Sequence, residues 1–524
     1  MRLAAGAALL FLILLGARDL WNPNEPLYGR AVVEMAARGD WVVPTVNGEV
    51  FDEKPILYFW LALAASHLLG GVNELTLRIP SALAGLIGVG LVYLLVHPYA
   101  GRLRARLAAS LFATIYTIFW SARAVQMDLL VAVCTLGAVL AVTRAVDHGA
   151  PARVGWSLAG LAAGLGFLAK GPVGLICPGL VVLSYLAATR RLDELKIRNL
   201  ALGGLVCSAV ALPWFLVLAA RGEWSFLHEV LVRQNATRFV APWDHAEPWW
   251  YFLKYFWIDM APWSLLVPLA LALPRRDHAE RRLDSLAWVW IASIVLFFSL
   301  SASKRSPYIL PIAPAVAALA AAPVERLVLG TLDLWRRRAV VFLLAAIGLT
   351  FVAGGVYLKL EVIGDHPDVG AAGPAVGMLL VGGGAAVLTC LVVRRRWPMA
   401  APAALFAAIV SLYLVAAVWV LPATNAYKSA RPFCQKLNAI VADDLPLRSY
   451  RFWKWRASYV YYADRPIERI VTSRELERYW GQDRQVYLLV ERGMIEEVRS
   501  VVGEVEPVIA DEIGSNAVYL FTNR

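Results

Sequence analysis

Charged side chains are scarce in this sequence of 524 residues: aspartate, glutamate, lysine and arginine together make up 17%, whereas hydrophobic residues make up 59%. A water-soluble protein of this length needs more charge to cover its surface, so an ordinary soluble enzyme is excluded. Apolar runs long enough to cross about 30 Å of hydrocarbon recur along most of the chain. Because lipid offers the backbone no hydrogen-bond partners, these runs predict an all-α polytopic membrane protein.

Cysteine is scarce as well. The five cysteines lie far apart without Cys-x-x-Cys spacing, and four of them stand in apolar stretches. This pattern excludes a disulfide framework and a zinc ribbon. The formal net charge of +11 could suggest a nucleic-acid partner, but the basic residues cluster in short gaps between apolar runs. Such clusters are typical of the cytoplasmic loops of membrane proteins, so we expect membrane lipids and no nucleic acid as partners.

The apolar runs predict about thirteen transmembrane helices. They lie near residues 3–18, 77–97, 106–122, 127–146, 155–170, 172–189, 199–219, 250–273, 286–302, 306–324, 339–358, 373–393 and 401–421. The first run could instead be a cleaved signal peptide, but we expect a retained helix because the segment after it is the richest in candidate catalytic residues. Every second gap is rich in arginine and is therefore predicted to be cytoplasmic, whereas the acidic gap at 361–368 is predicted to lie outside.

Two of the predicted outer loops are too long to be simple turns. They run from about residue 18 to 76 and from 221 to 249, and both contain aromatic-rich amphipathic stretches. Such stretches suit helices that lie in the membrane interface.

The character of the chain changes after residue 422, where charged residues become frequent. Strand-like runs at 486–490 and 517–521 accompany a helical stretch at 494–501. We therefore predict a transmembrane catalytic domain over residues 1–422 and a small extracytoplasmic α/β domain over residues 423–524.

Carboxylates stand out on the predicted outer side. Glu25 lies within Asn24-Glu25-Pro26-Leu27-Tyr28, and Asp128 stands at the outer mouth of an apolar span. A carboxylate at the membrane edge is unfavourable unless it is paired or functional, and Arg123 is close enough in sequence to be a structural partner. Glu25 could alternatively be a stabilising charge at the start of a helix.

Cations also occur on the predicted outer side, against the positive-inside bias. They are Lys54, Lys170, Lys304 and Arg305. Lys170 and the Lys304-Arg305 pair could each anchor a helix end at the membrane surface. Their common side suggests instead that they bind an anion, and a phosphate group is the natural candidate.

The loop from Trp21 to Trp60 resembles the dolichyl- and undecaprenyl-phosphate sugar transferases. That family includes the aminoarabinose-to-lipid A transferases and, more distantly, the protein O-mannosyltransferases. The loop shares with it Gly39-Asp40-Trp41, Pro44, Asn47-Gly48 and Glu53-Lys54-Pro55. Later segments follow in the family's order: Arg78-Ile79-Pro80-Ser81, Asp128, Ala169-Lys170-Gly171-Pro172, Asn235 to Phe239, Pro248-Trp249-Trp250-Tyr251, Pro262-Trp263-Ser264 and Ser303-Lys304-Arg305. The close similarity covers roughly the first 310 residues.

The resemblance implies a GT-C fold and a polyprenyl phosphate as leaving group. It also implies that Glu25 and Asp128 are the acidic residues of catalysis. The residues that it implies on the phosphate side are Tyr28, Lys54, Lys170, Arg238, Lys304 and Arg305. A carboxylate can take the proton of an attacking hydroxyl, and basic groups can stabilise the charge on the departing phosphate.

Three positions depart from the family's pattern. The family's usual Asp-Glu pair is Asn24-Glu25 here, and Leu27 stands where the aminoarabinose branch has arginine. The metal-binding histidine of that branch aligns with Asn235, which leaves Glu53 as a metal ligand without its partner. A divalent metal is therefore not expected, although His228 or His245 could substitute.

The sequence thus predicts a bacterial inner-membrane glycosyltransferase with its active site facing the periplasm. Its donor would be a polyprenyl-phosphate-linked sugar. Lipid A or another envelope glycolipid is the predicted acceptor, and protein serine or threonine is the alternative. A lipid-linked sugar transporter would often contain repeated halves, and no internal repeat is found here. A non-catalytic scaffold would not need both carboxylates.

Overall fold

The computed structural model describes residues 2–237, 239, 245–357, 359–360, 373–392, 399–452, 457–513 and 516–524. The chain forms two compact units. The first comprises Met1–Leu15, Asp52–Leu61 and Arg78–Val420, and the second comprises Gly16–Phe51, Ala62–Leu77 and Leu421–Arg524. Most of the first outer loop thus belongs to the same unit as the C-terminal residues. The domain boundary near residue 422 stays a prediction.

Helices make up most of the described chain. The α-helices are α1 (Arg2–Leu12), α2 (Asn24–Arg38), α3 (Leu57–Leu69), α4 (Glu74–Ala113), α5 (Tyr116–Ala122), α6 (Asp128–Asp147), α7 (Ala152–Lys170), α8 (Val173–Ala188), α9 (Ile197–Ala220), α10 (Trp224–His228), α11 (Tyr251–Asp259), α12 (Val267–Leu271), α13 (His278–Leu300), α14 (Ala313–Val328), α15 (Leu334–Tyr357), α16 (Gly373–Val392), α17 (Ala400–Val415), α18 (Leu421–Ala423), α19 (Asn425–Lys428), α20 (Arg431–Ile440), α21 (Ala457–Ala463), α22 (Ser473–Trp480) and α23 (Ile495–Val502). Short 3-10 helices lie at Leu192–Glu194, Trp263–Leu266, Ser306–Ile312 and Arg492–Met494, and π-helical segments at Glu229–Thr237 and Ala416–Val420.

Eight helical stretches within the described residues are long and apolar enough to cross a membrane. They are Glu74–Ala113, Asp128–Asp147, Ala152–Lys170, Ile197–Ala220, His278–Leu300, Ser306–Val328, Leu334–Tyr357 and Ala400–Ala423. Shorter apolar helices lie at Leu3–Leu12, Leu57–Leu69, Val173–Ala188 and Val376–Leu388. The predicted helical membrane architecture is confirmed, whereas the number of about thirteen spans stays a prediction.

Glycine and proline interrupt the apolar runs. Inside α4, Gly101 has a non-helical backbone (φ 78°, ψ 179°), at the gap predicted between two spans. The run predicted as one span over 250–273 is instead broken after Asp259, and helical structure resumes at Trp263. Pro262 lies in the break, and its missing N–H removes a donor that a continuous helix would need.

Glycines allow α7 to pack closely against its neighbours in the first unit. A Cβ at Gly160 would lie 2.2 Å from the carbonyl oxygen of Gly203 in α9. A Cβ at Gly174 in α8 would lie 2.0 Å from the carbonyl carbon of Gly166. Helices in a membrane gain stability from such close packing, because lipid supplies no hydrophobic driving force between them. These contacts position α7, which ends at Lys170.

Arginines of the predicted cytoplasmic gaps join helix ends in the first unit. Arg104 is fully buried and bonds with Glu280 at 2.6 Å and with Asp284 at 3.0 Å. Glu280 also pairs with Arg326 at 2.9 Å. A buried cation needs such partners, so these arginines connect α4, α13 and α14 as well as contributing to the charge bias.

A two-stranded hairpin in the second unit is held by Glu34 of α2. Strands β1 (Thr45–Val46) and β2 (Glu49–Val50) are joined by Asn47 and Gly48, both with positive φ, as expected for a tight hairpin turn. The Glu34 carboxylate accepts hydrogen bonds from the Thr45 hydroxyl at 2.6 Å and from the Asn47 amide at 2.6 Å. Burial raises the pKa of Glu34, but bonds from Thr45, Arg30 and Gly48 outweigh burial and hold it below its ordinary value.

The C-terminal residues of the second unit form a five-stranded mixed sheet within the described chain. Its strands are β3 (Leu447–Tyr450), β4 (Glu468–Ile470), β5 (Tyr487–Glu491), β6 (Ile509–Ile513) and β7 (Asn516–Thr522), in the order β4-β3-β5-β7-β6. Strand β5 is buried on both faces: Leu489 belongs to one hydrophobic cluster and Leu488 to the other. The predicted strands and the helix near 494–501 are confirmed as β5, β7 and α23.

We expect Gly174→Ala to destabilise the protein strongly, because the new methyl group would meet backbone atoms that cannot rotate away. Overpacking of this kind costs about 3 kcal/mol. Gly179→Ala in the same helix is the matched control, since a Cβ there has no neighbour within 4 Å. Thermal unfolding of the detergent-purified protein should give a lower midpoint for the first variant only. Equal midpoints would contradict the close contact of α7 with α8.

Glu34→Gln should remove a pH-dependent part of the stability. The pKa of Glu34 is lowered from 4.5, so its charge stabilises the fold above that pH, and this contribution is lost as the pH falls through the folded-state value. The gap in unfolding midpoint between wild type and Glu34→Gln should therefore be largest near pH 7 and should narrow as the pH falls below 4.5. The exposed Glu49 supplies the control Glu49→Gln. A gap that stayed constant with pH would rule out the charged hydrogen bonds.

Candidate active site

Asp128 and Lys170 form an ion pair in the first unit. Asp128 is the first residue of α6 and Lys170 is the last residue of α7. Each charge thus lies at the helix end whose dipole favours it. Their side chains are 18% and 21% exposed, so the pair is accessible but not surrounded by water. The two residues were predicted separately from the sequence, and the structure joins them.

Tyr308 completes this group and was not among the predicted site residues. The Lys170 ammonium nitrogen lies 4.9 Å from the centre of the Tyr308 ring, a distance at which a cation is attracted to an aromatic face. Tyr308 belongs to the 3-10 helix Ser306–Ile312, and its ring also lies against Phe298. The sequence offered only a weak signal, a tyrosine three residues after Arg305.

Lys304 and Arg305 are adjacent in sequence but have different surroundings. Lys304 is buried, and its ammonium donates to the carbonyl oxygens of Glu247, at 2.8 Å, and Ser301. Burial lowers the pKa of Lys304, and the nearby Glu247 opposes this effect. Arg305 is half-buried, and among the described residues its guanidinium has no hydrogen-bond or ion-pair partner. Of the two, Arg305 is therefore the one with donors available for an anion.

The segment that carries Glu53 and Lys54 is linked to the start of α6 within the first unit. The Tyr58 hydroxyl lies 3.0 Å from the Ser81 hydroxyl, which donates to the carbonyl oxygen of Gln126 at 3.2 Å. Gln126 lies two residues before Asp128. The Lys54 ammonium donates to the carbonyl oxygen of Glu53 at 3.1 Å, and both side chains are half-buried.

Arg123 interacts with backbone oxygens in a way that the sequence did not reveal. Its guanidinium donates to the carbonyl oxygens of Leu10 and Phe11 at 3.2 Å and of Ile13 at 2.8 Å. These carbonyls lie at the end of α1, where a helix has no internal donors left. Arg123 therefore caps α1, whereas the cation observed beside Asp128 is Lys170.

Glu25 lies in the first turn of α2 in the second unit and is only 7% exposed. Its two carboxylate oxygens accept bonds from the two terminal nitrogens of Arg18 at 2.6 and 2.8 Å. The Trp21 amide also donates to Glu25, at 3.2 Å, and the Arg18 guanidinium lies 4.4 Å from the centre of the Trp21 ring. The alternative of a helix N-terminal charge fits the position of Glu25, but the paired arginine is an additional feature that such a charge does not need.

The predicted residues thus fall into separate groups. Asp128 and Lys170 are joined in the first unit, together with the nearby Tyr308. Glu25 and Tyr28 belong to the second unit, where the buried Tyr28 ring lies 6.1 Å from Phe51. Arg238 lies outside the described residues. The convergence of all these side chains on one cavity stays a prediction.

The residues present do not fit a divalent-metal centre in the described part of the chain. No three histidine, cysteine, aspartate or glutamate side chains there come together as metal ligands. The Asn235 amide nitrogen donates to the carbonyl oxygen of Val230 at 2.7 Å, and this amide lies against Gly171. Asn235 therefore packs beside the turn that follows Lys170. It has no imidazole, which is the metal ligand that Glu53 would need as a partner.

Comparison with known proteins identifies similar sequences. Residues 53–216 match the family described as dolichyl-phosphate-mannose-protein mannosyltransferase. An undecaprenyl phosphate-α-4-amino-4-deoxy-L-arabinose arabinosyl transferase of Aeromonas salmonicida is 30% identical over 477 residues, which cover 87% of this chain and 84% of that protein. Proteins of the same name from Pseudomonas fluorescens and Pseudomonas aeruginosa are 34% and 33% identical, over 57% and 67% of this chain. The match spans 53% and 64% of their lengths.

Solved structures share the fold. The crystal structure of ArnT from Cupriavidus metallidurans bound to undecaprenyl phosphate has a TM-score of 0.83 at 19% identity, and the alignment covers 100% of this chain and 97% of that one. The archaeal oligosaccharyltransferase AglB from Archaeoglobus fulgidus has a TM-score of 0.51 at 12% identity, over 94% and 70% of the two chains. The predicted GT-C fold is confirmed.

A double-mutant cycle should detect the pair of Asp128 and Lys170. Each of Asp128→Asn and Lys170→Met leaves one charge without its partner, so the double variant should be less destabilised than the sum of the singles, by about 1 kcal/mol. The exposed Lys196 provides the control Lys196→Met, whose combination with Asp128→Asn should be additive within about 0.5 kcal/mol. Chemical unfolding of the purified protein measures both. Additivity in the first cycle would mean that the ion pair is absent.

Proposed function

Because this chain belongs to the family of undecaprenyl phosphate-α-4-amino-4-deoxy-L-arabinose arabinosyl transferases, a family of membrane glycosyltransferases, we propose that it transfers a sugar from undecaprenyl phosphate to an envelope acceptor. The observation that carries this proposal is the similarity to the Aeromonas salmonicida relative, which extends over most of both chains. The ion-paired carboxylates Glu25 and Asp128 support it, since they supply the groups that such a transfer needs.

In the proposed reaction, an acceptor hydroxyl oxygen forms a bond to C1 of the sugar while the bond from C1 to the phosphate oxygen breaks. The electron pair of that bond leaves with undecaprenyl phosphate, and the hydroxyl proton passes to a carboxylate. Glu25 and Asp128 are the proposed carboxylates. A general base must be held within hydrogen-bond reach of the proton, and each of these side chains is oriented by a cation, Arg18 or Lys170.

Arg305 is our main candidate for binding the departing phosphate. Its half-buried guanidinium has no side-chain partner among the described residues, and the planar fork of arginine matches two phosphate oxygens. Lys304 would act indirectly, because its bonds to backbone carbonyls fix the segment that carries Arg305. Lys54, Lys170, Tyr28 and Arg238 stay proposed phosphate-side residues.

The proposed location is the bacterial inner membrane, with the site facing the periplasm. Helix α6 begins with Asp128 and carries Arg144 in its last turn. A helix of 20 residues extends about 30 Å, so Asp128 and the predicted cytoplasmic Arg144 lie at opposite ends of a helix long enough to cross the membrane. This arrangement supports donor binding on the outer side.

Lipid A or another envelope glycolipid is the proposed acceptor, because the relatives that match over most of the chain are aminoarabinose transferases. A serine or threonine hydroxyl of a protein is a second candidate, favoured by the match of residues 53–216 to the protein mannosyltransferase family. Leu27 and Asn235 depart from the aminoarabinose pattern, so the sugar itself needs a direct test.

Glu25→Gln and Asp128→Asn should each lower transfer by about 100-fold or more, since each removes a carboxylate while preserving its shape. Mass spectrometry of polyprenyl-phosphate sugars and envelope lipids from cells should show that the donor accumulates and that one modified acceptor disappears. The same cells provide glycopeptides, whose loss in place of a glycolipid would identify a protein acceptor. The mass of the accumulated donor identifies the sugar.

The exposed residues Glu49 and Asp193 supply matched controls, and Glu49→Gln and Asp193→Asn should behave as wild type. Variants that insert normally yet leave every glycolipid and glycopeptide unchanged would reject a catalytic role for both carboxylates. Such a result would favour a transporter or a scaffold.

A further inference from the structure

The side chain of Asn425 bonds with the first outer loop at three points, all within the second unit. Its amide oxygen accepts hydrogen bonds from the Asp19 amide at 3.0 Å and from the Trp21 indole at 3.1 Å. Its amide nitrogen donates to the carbonyl oxygen of Ala17 at 3.3 Å. These contacts lie on both sides of Arg18. One carboxamide therefore fixes the loop before and after the residue that binds Glu25.

Other residues from the C-terminal part of the chain hold the same loop. The Tyr462 hydroxyl accepts a hydrogen bond from the Leu20 amide at 2.6 Å. Arg431 pairs with Asp19 at 3.1 Å and also with Glu74. Residues 17, 19, 20 and 21 each have a partner beyond residue 421, so the conformation of this loop depends on a segment about 400 positions away in sequence.

The held loop determines where the Arg18 guanidinium lies. Arg18 is 5% exposed, and its side chain has Glu25 beside its terminal nitrogens and the Trp21 ring against its face. A two-point bond between arginine and carboxylate restricts the orientation of both groups. Because the backbone on either side of Arg18 is fixed by Asn425, a displacement of that backbone would move Glu25 as well.

We propose that Asn425 is a positioning residue for sugar transfer, which acts through Arg18 to hold the Glu25 carboxylate in the orientation that accepts the acceptor's proton. This inference rests on the proposed function and on the proposed role of Glu25 in it. A carboxamide suits the task, because the loop requires an acceptor for two N–H groups and a donor for one carbonyl group. A misplacement of about 1 Å can lower the rate of an enzyme by about 100-fold.

The test uses the full chain, purified in detergent, with undecaprenyl-phosphate aminoarabinose as donor and lipid A as acceptor. Asn425→Ala should lower kcat by about 10- to 100-fold and leave the KM for the donor within about twofold, because the variant disturbs orientation rather than donor binding. Asn438→Ala is the matched control: Asn438 lies in the same unit and bonds only to the backbone of Ala463 among the described residues. It should retain wild-type kcat.

Two further readouts separate positioning from a merely structural role. If Asn425 acts through Arg18, the double variant Arg18→Met/Asn425→Ala should be no slower than Arg18→Met alone, since the loop then has no arginine to position. The acid limb of the plot of kcat against pH should also move to higher pH in Asn425→Ala, because a loosened cation favours the charged carboxylate less. Additive losses together with an unmoved acid limb would overturn the proposal.

Tyr462→Phe is the second variant, because it removes a single hydroxyl, which accepts from the Leu20 amide and donates to the Glu74 carboxylate at 3.2 Å, and it should fold where Asn425→Ala does not. It should reproduce the loss of kcat and the shift of the acid limb in milder form, and a wild-type profile would contradict the proposal. Glu25→Gln in the same assay distinguishes the catalytic role of Glu25 from the positioning role of Asn425. Full activity of Glu25→Gln rejects the role of Glu25 itself, whereas an inactive Glu25→Gln with a wild-type Asn425→Ala rejects only the positioning role.

Discussion

Every backbone carbonyl and amide within a hydrocarbon layer needs a partner from the protein, because lipid supplies none. The α-helix meets this need along its length but not at its ends. The buried cations of the first unit meet part of what remains. Arg123 binds the carbonyls at the end of α1, and Lys304 binds those of Glu247 and Ser301. In this protein a buried cation can therefore serve as a hydrogen-bond donor to backbone carbonyls, and it is not necessarily a ligand-binding residue.

This requirement changes how the cations on the predicted outer side are interpreted. From the sequence, Lys170, Lys304 and Arg305 are equivalent. In the structure Lys170 neutralises Asp128, Lys304 is bound to the backbone, and Arg305 has no side-chain partner among the residues described. Charge alone singled out these cations as candidates, but the distribution of partners decides which of them has donors left for an anion. Hydrogen-bond partners depend on contacts between distant segments, and no sequence pattern encodes them.

The sequence predicted what depends on local pattern. Hydropathy located the apolar helices, and the strand-like apolar run at 486–490 located β5. It also singled out Asp128 and Lys170, since each charge interrupts an apolar run. It did not pair them, and it offered Arg123 as the partner of Asp128 because the two are close in sequence. Asn425 could not be predicted at all, because its role depends on a contact with a loop about 400 residues earlier. Pro262 was a signal for the break after Asp259, but the apolar residues around it led to the prediction of one continuous span.

The interleaving of the second unit has a consequence for how the protein matures. Residues 16–51 and 421–524 belong to one unit, but the ribosome synthesises the first range early and the second range last. At about 5–20 residues per second, the first loop waits roughly 20–90 s for Asn425 and Tyr462, which follow it by 404 to 442 residues. Until then the loop at residues 17–21, whose Arg18 binds Glu25, lacks its hydrogen bonds with Asn425 and Tyr462. A polypeptide cut short before residue 421 lacks these partners of the first loop, so this part of the molecule is completed last.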